Sequence, residues 1–279
     1  MPDLLKRRAA FRQLHESGCF VIPNPWDIGS ARYLSQLGFK ALATTSSGFA
    51  FSRGEPDADW GVPRDAMLGH ISEIVGATDL PVNADFVTGY GREPEVVAEN
   101  VGLCVATGVA GLSIEDGTGG REGPLHDLPF AARRIEAARA AIDAAGGGVL
   151  LTARAESYIV GHPNPLADVL ARLTAYAERG ADVLFAPGAR TREDIRAIVK
   201  AVGPKPVNVV FGVNAGLTVS DLAELGVRRV SVGSGLARAA WTGFIRAAKL
   251  IADAGSFAGF DGSVTFSELD TLFRRKRSR

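Results

Sequence analysis

Leu80-Pro81-Val82-Asn83-Ala84-Asp85-Phe86-Val87-Thr88-Gly89-Tyr90-Gly91 begins as a short apolar strand with proline at its mouth. It ends in a carboxylate followed by a glycine-broken turn. In α/β proteins an acid at the carboxyl end of a buried strand points into the space where ligands bind. The pattern recurs twice. Gly111-Leu112-Ser113-Ile114-Glu115-Asp116-Gly117 closes on two acids, and Val149-Leu150-Leu151-Thr152-Ala153-Arg154-Ala155-Glu156 closes on an arginine and a glutamate. Hard oxygen donors from three strand ends, joined by one guanidinium, suit a divalent cation that faces an anionic substrate.

Outward from this stretch, strands and helices alternate. Strands are expected at 19–22, 41–45, 81–85, from 111, from 149, and at 182–186, 206–211 and 229–232, each followed by a helical pattern. Glycines stand just past several of the helices, among them Gly38, Gly108 and Gly180. Eight strand–helix units imply parallel strands closed into a (β/α)₈ TIM-type barrel, an α/β fold occupying 1–279 as one domain. An open doubly wound sheet fits less well, because no G-x-G-x-x-G turn follows the first strand. Residues 49–62 read as a polar active-site loop, and 117–125, with its many glycines, as a mobile lid. The long helix 237–254 is followed by Phe257, Phe260, Phe266, Leu269, Leu272 and Phe273. So much apolar surface at a terminus suits packing of the segment 237–279 on a neighbouring subunit.

The 279 residues carry 31 basic and 31 acidic side chains, so no global field favours nucleic acid. The cluster of basic residues at 274–279 reads as a solvated end. Cys19 and Cys104 lie in apolar contexts and argue against a disulfide framework. The start of the chain lacks a signal-peptide pattern, and no apolar run reaches a membrane-spanning length. A cytoplasmic protein without membrane or nucleic-acid partners is expected. His15, His70, His126 and His162 show no metal-ligand spacing, and His70 reads as a helix-surface residue.

Five motifs, in order and each at the end of the expected strand, resemble those of the isocitrate lyase and phosphoenolpyruvate mutase superfamily. They are Ser47-Gly48, Gly54-Glu55-Pro56-Asp57, Asn83-Ala84-Asp85 with Gly89-Tyr90-Gly91, Ile114-Glu115-Asp116, and Thr152-Ala153-Arg154-Ala155-Glu156. The resemblance spans about residues 18–250. It implies a barrel enzyme that uses Mg²⁺ (or Mn²⁺) and an enolate of an α-keto acid, with dimeric or tetrameric assembly through the last helix.

Carried over residue by residue, Asp85 becomes the direct metal ligand, with Glu115 and Asp57 holding metal waters. Arg154 pairs with the substrate carboxylate. Ser47 and the N–H groups of Gly48 and Phe49 cradle the developing oxyanion, and Asn208 touches the substrate's distal group. Gly117, Gly120, Arg121 and His126 belong to the lid, with Arg121 and His126 as its candidates for acid or anion-clamp work.

Departures from the family pattern narrow the activity. Asn83 stands where the family has a second aspartate, and the chain is longer between Asp85 and Gly89. Thr45 replaces an aromatic. The lid segment Gly117–Pro124 holds neither the cysteine acid of isocitrate and methylisocitrate lyases nor the lysine and asparagine of phosphoenolpyruvate mutase. The reading is therefore a carbon–carbon lyase for a small α-keto or 2-hydroxy dicarboxylate, of oxaloacetate-decarboxylase or retro-aldol type. Carbon–phosphorus chemistry on phosphonopyruvate, or α-keto acid binding without turnover, are the alternatives.

Overall fold

A computed structural model describes residues 2–57, 61–119 and 123–274. Eight parallel strands run β1 (Phe20–Ile22), β2 (Leu42–Ala43), β3 (Val82–Asp85), β4 (Gly111–Glu115), β5 (Leu150–Arg154), β6 (Val183–Phe185), β7 (Val207–Val210) and β8 (Arg229–Ser231). They lie in the order β1-β8-β7-β6-β5-β4-β3-β2. The seam between β1 and β2 is bridged where Ala43 N–H donates to the Pro23 carbonyl (3.0 Å) and Asn24 Nδ2 to the Thr44 carbonyl (2.8 Å). The fold is a (β/α)₈ barrel of TIM type.

The first helix, α1 (Pro2–Leu14), plugs one end of the barrel. Phe11 is fully buried among Ile22, Ala41, Ala43, Ala110, Leu150 and Val183. Burying such a ring contributes roughly 2 kcal/mol. Gly111 makes room for it, since a Cβ there would lie 2.6 Å from the Phe11 ring and 2.7 Å from Asn83 Oδ1. The surrounding helices α2 (Ile28–Gln36), α4 (Arg64–Ala77), α5 (Pro94–Ala106), α6 (Leu128–Ala144), α7 (Pro165–Glu178), α8 (Arg192–Val202) and α9 (Val219–Glu224) cover the outer faces of the strands. Side-chain caps start several of them: Asp27, Asp127, Thr191 and Thr218 each accept from a first-turn N–H.

Two local expectations are corrected. Residues 46–52 form a helix, α3 (Ser46–Ser52), where β2 was expected to run on to Thr45 and a loop to begin at 49. Thr45 leaves the strand to cap α3, its Oγ1 accepting from Gly48 N–H (3.2 Å). His70 is buried against the barrel, its ring stacked on Phe49 at 3.9 Å between centroids. Burial lowers its pKa to about 4, with Asp27 acting weakly the other way.

The chain ends in α10 (Gly235–Ala254), a 3-10 turn (Ala258–Phe260) and α11 (Phe266–Phe273). Only Ala237 of α10 is buried, whereas Trp241, Phe244 and Ile245 are exposed. Residues 275–279 of the basic end lie outside the described residues. No helix among the described residues is long and apolar enough to cross a membrane.

Candidate active site

A cavity of about 620 Å³ opens at the carboxyl ends of the strands. Asp85 ends β3, Glu115 ends β4 and Arg154 ends β5, so the register of the sheet brings the three side chains to one wall. Arg154 is the hub. Its Nη1 lies 3.0 Å from Asp85 Oδ1 and 2.9 Å from Glu115 Oε2, and its Nη2 lies 2.8 Å from Glu156 Oε1. Burial works against the charged guanidinium, yet the carboxylates of Glu115, Glu156 and Asp85 hold Arg154 above the ordinary arginine range. The pKa of Glu156 is raised by burial, against the pull of Arg154.

Asp85 is fixed from both sides. Its Oδ2 accepts from Ser46 N–H and Ser46 Oγ, each at 2.9 Å, and its own N–H donates to Thr44 Oγ1 at 2.8 Å. The turn beyond it holds Val87 at φ 44°, a left-handed conformation that a β-branched residue adopts only under strain. Two contacts hold the strain in place. The Val87 carbonyl accepts from Glu115 N–H (3.0 Å). From α6, the buried Arg134 donates to the carbonyls of Thr88, Gly91 (3.0 Å), Arg92 (3.1 Å) and Glu115 (3.1 Å).

Behind β5, Asp116 ties the segment that follows β4 to this wall. Its carboxylate accepts from Glu156 N–H (2.9 Å), Tyr176 OH (2.6 Å) and Arg172 Nη1 (3.1 Å). The same Arg172 nitrogen donates to the His126 carbonyl (2.9 Å), and His126 N–H donates to the Asp116 carbonyl (3.0 Å).

The other expected residues divide clearly. Ser47, Asp57, Asn208 and Gly117 line the cavity. Gly48 and Phe49 do not. Their N–H groups are spent inside α3, on Thr45 Oγ1 and the Thr45 carbonyl (3.0 Å), because the segment is helical. The oxyanion cradle expected from them is therefore not formed by those two donors. His126 stands just before α6 with its ring 5.1 Å from Phe130, rather than on the cavity wall. Gly120 and Arg121 lie outside the described residues. Ser46 and Thr44, which hold Asp85, were not expected in the site, whereas Glu156 and Asp116 were expected only as strand-end acids beside Arg154 and Glu115 and not as assigned ligands.

A hard cation fits the donor set. Three carboxylates around one guanidinium leave net negative charge on the β3–β5 wall, and Asp57 also lines the cavity. Among the described residues no three His, Cys, Asp or Glu side chains already stand at ligand distance from one point. Mg²⁺ takes one or two protein carboxylates directly and keeps waters elsewhere, a demand that the carboxylates lining the cavity can meet.

A TIM barrel with an acid–guanidinium centre at its strand ends carries its charged groups on the face where barrel enzymes hold their active sites. Residues 11–252 match the family model for phosphoenolpyruvate phosphomutase, and the chain belongs to that family. A crystal structure of a lyase/mutase candidate from Burkholderia cenocepacia J2315 superposes with a TM-score of 0.94 at 45% identity, covering 99% of this chain and 98% of that one. The 2-methylisocitrate lyase of Halalkalibacterium halodurans is 28% identical over 93% of this chain and 87% of its own. The oxaloacetate decarboxylase of Paraburkholderia xenovorans is 29% identical over 82% and 75% respectively.

Proposed function

We propose that the protein is a Mg²⁺-dependent lyase that breaks the carbon–carbon bond beside the carbonyl of a small α-keto or 2-hydroxy dicarboxylate, with oxaloacetate decarboxylation as the simplest case. The observation that carries the proposal is the meeting of Asp85, Glu115 and Glu156 on Arg154 at the wall of one cavity. Asp85 would hold the cation directly, with Glu115 and Asp57 holding its waters. A bound magnesium ion supplies positive charge for the keto and carboxylate oxygens of the substrate.

The chain's own groups then divide the work. Arg154 carries donors in a rigid fork that matches a carboxylate, and its acid neighbours fix the plane of that fork. Ser47 Oγ, 3.2 Å from Thr45 Oγ1, lines the cavity where a keto oxygen would sit. In the decarboxylation the C3–C4 bond breaks and C4 departs as CO₂. The electron pair moves into the C2–C3 bond and onto the C2 oxygen as an enolate. A proton from solvent water then adds at C3 and gives pyruvate, with the hydroxide left behind taken up by CO₂ as bicarbonate. The departing CO₂ needs no acid, which suits a lid whose sequence offers neither Cys nor Lys between Gly117 and Pro124. Cleavage of methylisocitrate instead expels a carboxylate-stabilised carbanion, far more basic than a ketone enolate. Its protonation calls for a positioned acid of the kind that Gly117–Pro124 does not hold.

Purified protein with Mg²⁺ is expected to release pyruvate from oxaloacetate or a substituted malate, followed by coupled reduction of pyruvate. Silence across a panel of such acids, with metal uptake confirmed by calorimetry, would overturn the proposal. Phosphate release from phosphonopyruvate would replace it with carbon–phosphorus chemistry. Tight oxalate binding without turnover would replace it with a binding role.

A further inference from the structure

The cavity is polar in a directed way. Its acids, Asp85, Glu115 and Glu156, stand on the β3–β5 side, while Arg190, Arg229 and Arg238 line it from the elements after β6, on β8 and in α10. Among these Arg229 is unusual. It is only 3% exposed, and no carboxylate among the described residues pairs with it. Its acceptors are all neutral: Asn208 Oδ1 takes Nε–H at 2.8 Å, Thr152 Oγ1 takes Nη2–H at 3.0 Å, and His15 Nε2 takes Nη1–H at 3.4 Å. Burial and the neighbouring Arg229 charge lower the His15 pKa to about 3, so its ring is neutral, and with Nδ1–H directed at the Phe11 carbonyl (2.8 Å) its Nε2 is an acceptor. A guanidinium has five N–H groups, so two remain without a protein acceptor among the described residues.

Arg134 shows how the same fold treats a purely structural buried arginine. Its guanidinium is surrounded by four backbone carbonyls and does not line the cavity. Arg229, by contrast, keeps an uncompensated charge at the cavity wall. Burial of an unpaired charge is costly, and an anion supplied by a ligand offsets that cost. Arg229 also sets the Asn208 amide. With Oδ1 facing Arg229, Nδ2 is the donor to Ser231 Oγ (3.1 Å), and its second hydrogen is free.

We infer that Arg229 is a specificity-determining residue which, with the Asn208 amide it orients, selects substrates carrying a second anionic group at the end remote from the Asp85–Arg154 centre. This rests on the reading of the site given above. Burial lowers the Arg229 pKa to about 9, so the charge is present at neutral pH. The selected group is a carboxylate or an equivalent oxyanion. A methyl in its place would leave both the guanidinium and the amide donor unsatisfied.

The test compares 2-oxoglutarate with 2-oxopentanoate, which differ only in a carboxylate or a methyl at the far end. Oxalate reports the cation end alone. Each is titrated calorimetrically into the magnesium-loaded full chain. The wild type is expected to prefer the dicarboxylate by about tenfold or more, the range of a charge-assisted hydrogen bond. Arg229→Met is expected to bring that preference close to unity, with oxalate affinity within about twofold of wild type, and Arg229→Lys to keep part of it.

Should Arg229→Met fail to fold, Asn208→Asp serves. It places a carboxylate of the same size 2.8 Å from Arg229 Nε, cancels the charge internally, and is expected to abolish the preference. An unchanged preference in folded Asn208→Asp, or no preference in a wild type that binds oxalate, overturns the inference. A wild type that fails to bind oxalate overturns the reading of the whole site first, and the two failures are thereby told apart.

Discussion

Arg154 Nη1 donates to Asp85 Oδ1 across 3.0 Å, joining the ends of β5 and β3 over 69 residues of sequence. The contact does two things. It neutralises one of the acids that would hold a cation, and it fixes the guanidinium plane beside the substrate. Lysine at 154 keeps the charge but loses the fork that reaches Asp85, Glu115 and Glu156 together. Arg154→Lys is therefore expected to keep magnesium binding within a few-fold and to lower kcat/KM on the order of a thousandfold, about 4 kcal/mol of transition-state stabilisation. Steady-state kinetics beside a magnesium titration separate the two effects.

Asn83 stands where a second carboxylate would strengthen the cation's hold. The amide is buried in the cavity wall, its Nδ2 donating to the Ala84 carbonyl (3.1 Å) while Oδ1 has no hydrogen-bond partner. Asn83→Asp adds one hard anionic oxygen beside Asp85 with little change in volume. Magnesium affinity is expected to rise about tenfold, equal to about 1.4 kcal/mol. Calorimetry at fixed pH measures it, and affinity equal to or below wild type would show that position 83 takes no part in metal binding.

His70 gives the fold an acid-sensitive point. Its folded pKa is about 4, against an ordinary value near 6.5, because burial penalises the charged ring. Between those values the unfolded chain binds the proton and the folded chain does not, so stability falls as pH drops from about 6.5 toward 4. The loss from this group between pH 7 and 5 is about 2 kcal/mol. His70→Phe, which keeps a ring against Phe49, is expected to flatten that part of the profile in urea unfolding at the two pH values. His15, lowered to about 3 by burial and by Arg229, adds a drop of the same sign that the substitution leaves in place.

Much of this molecule was readable before any coordinates. The eight strands show themselves through short apolar runs bounded by glycine and proline, and the acids at 85, 115 and 156 with Arg154 are identifiable because parallel strands bring their carboxyl ends to one face. What escaped was decided by tertiary contact. Ser46–Ser52 carries small, turn-forming residues and reads as loop, yet Thr45 caps it and Asp85 receives its first N–H. His70 reads as polar and exposed, yet the Phe49 ring covers it. Arg229 gave no signal at all. Its place inside the barrel follows from strand parity, but its lack of an acidic partner depends on which residues its neighbours on β5 and β7 present.

The Asp116 network behind the active wall is a structural support for Glu156. Tyr176 is fully buried and donates to Asp116 at 2.6 Å. Removing that hydroxyl strips one of the donors around a buried carboxylate. Tyr176→Phe is expected to cost about 2 kcal/mol in urea unfolding. Because Arg172 and Glu156 N–H still hold Asp116, activity at saturating substrate is expected to fall by less than tenfold. A loss of activity without a loss of stability would instead place the hydroxyl in the reaction.

The last prediction concerns assembly. Within one chain α10 leaves Trp241, Phe244 and Ile245 exposed, and beyond it Phe257 is 69% and Phe266 86% exposed. Exposed aromatic side chains of this size and number on one segment are the mark of a surface that another chain covers. The expected state is a homodimer or homotetramer in which this segment packs on a neighbouring copy. Light scattering and sedimentation measure it directly. Phe244→Glu with Phe266→Glu puts charges into the proposed contact and is expected to shift the protein to monomer while the barrel stays folded by circular dichroism. Because Arg238 lines the cavity from the first turn of the same helix, the dissociated variant is also expected to bind oxalate more weakly. A wild-type monomer at micromolar concentration would exclude the assembly and leave the apolar segment in need of another partner.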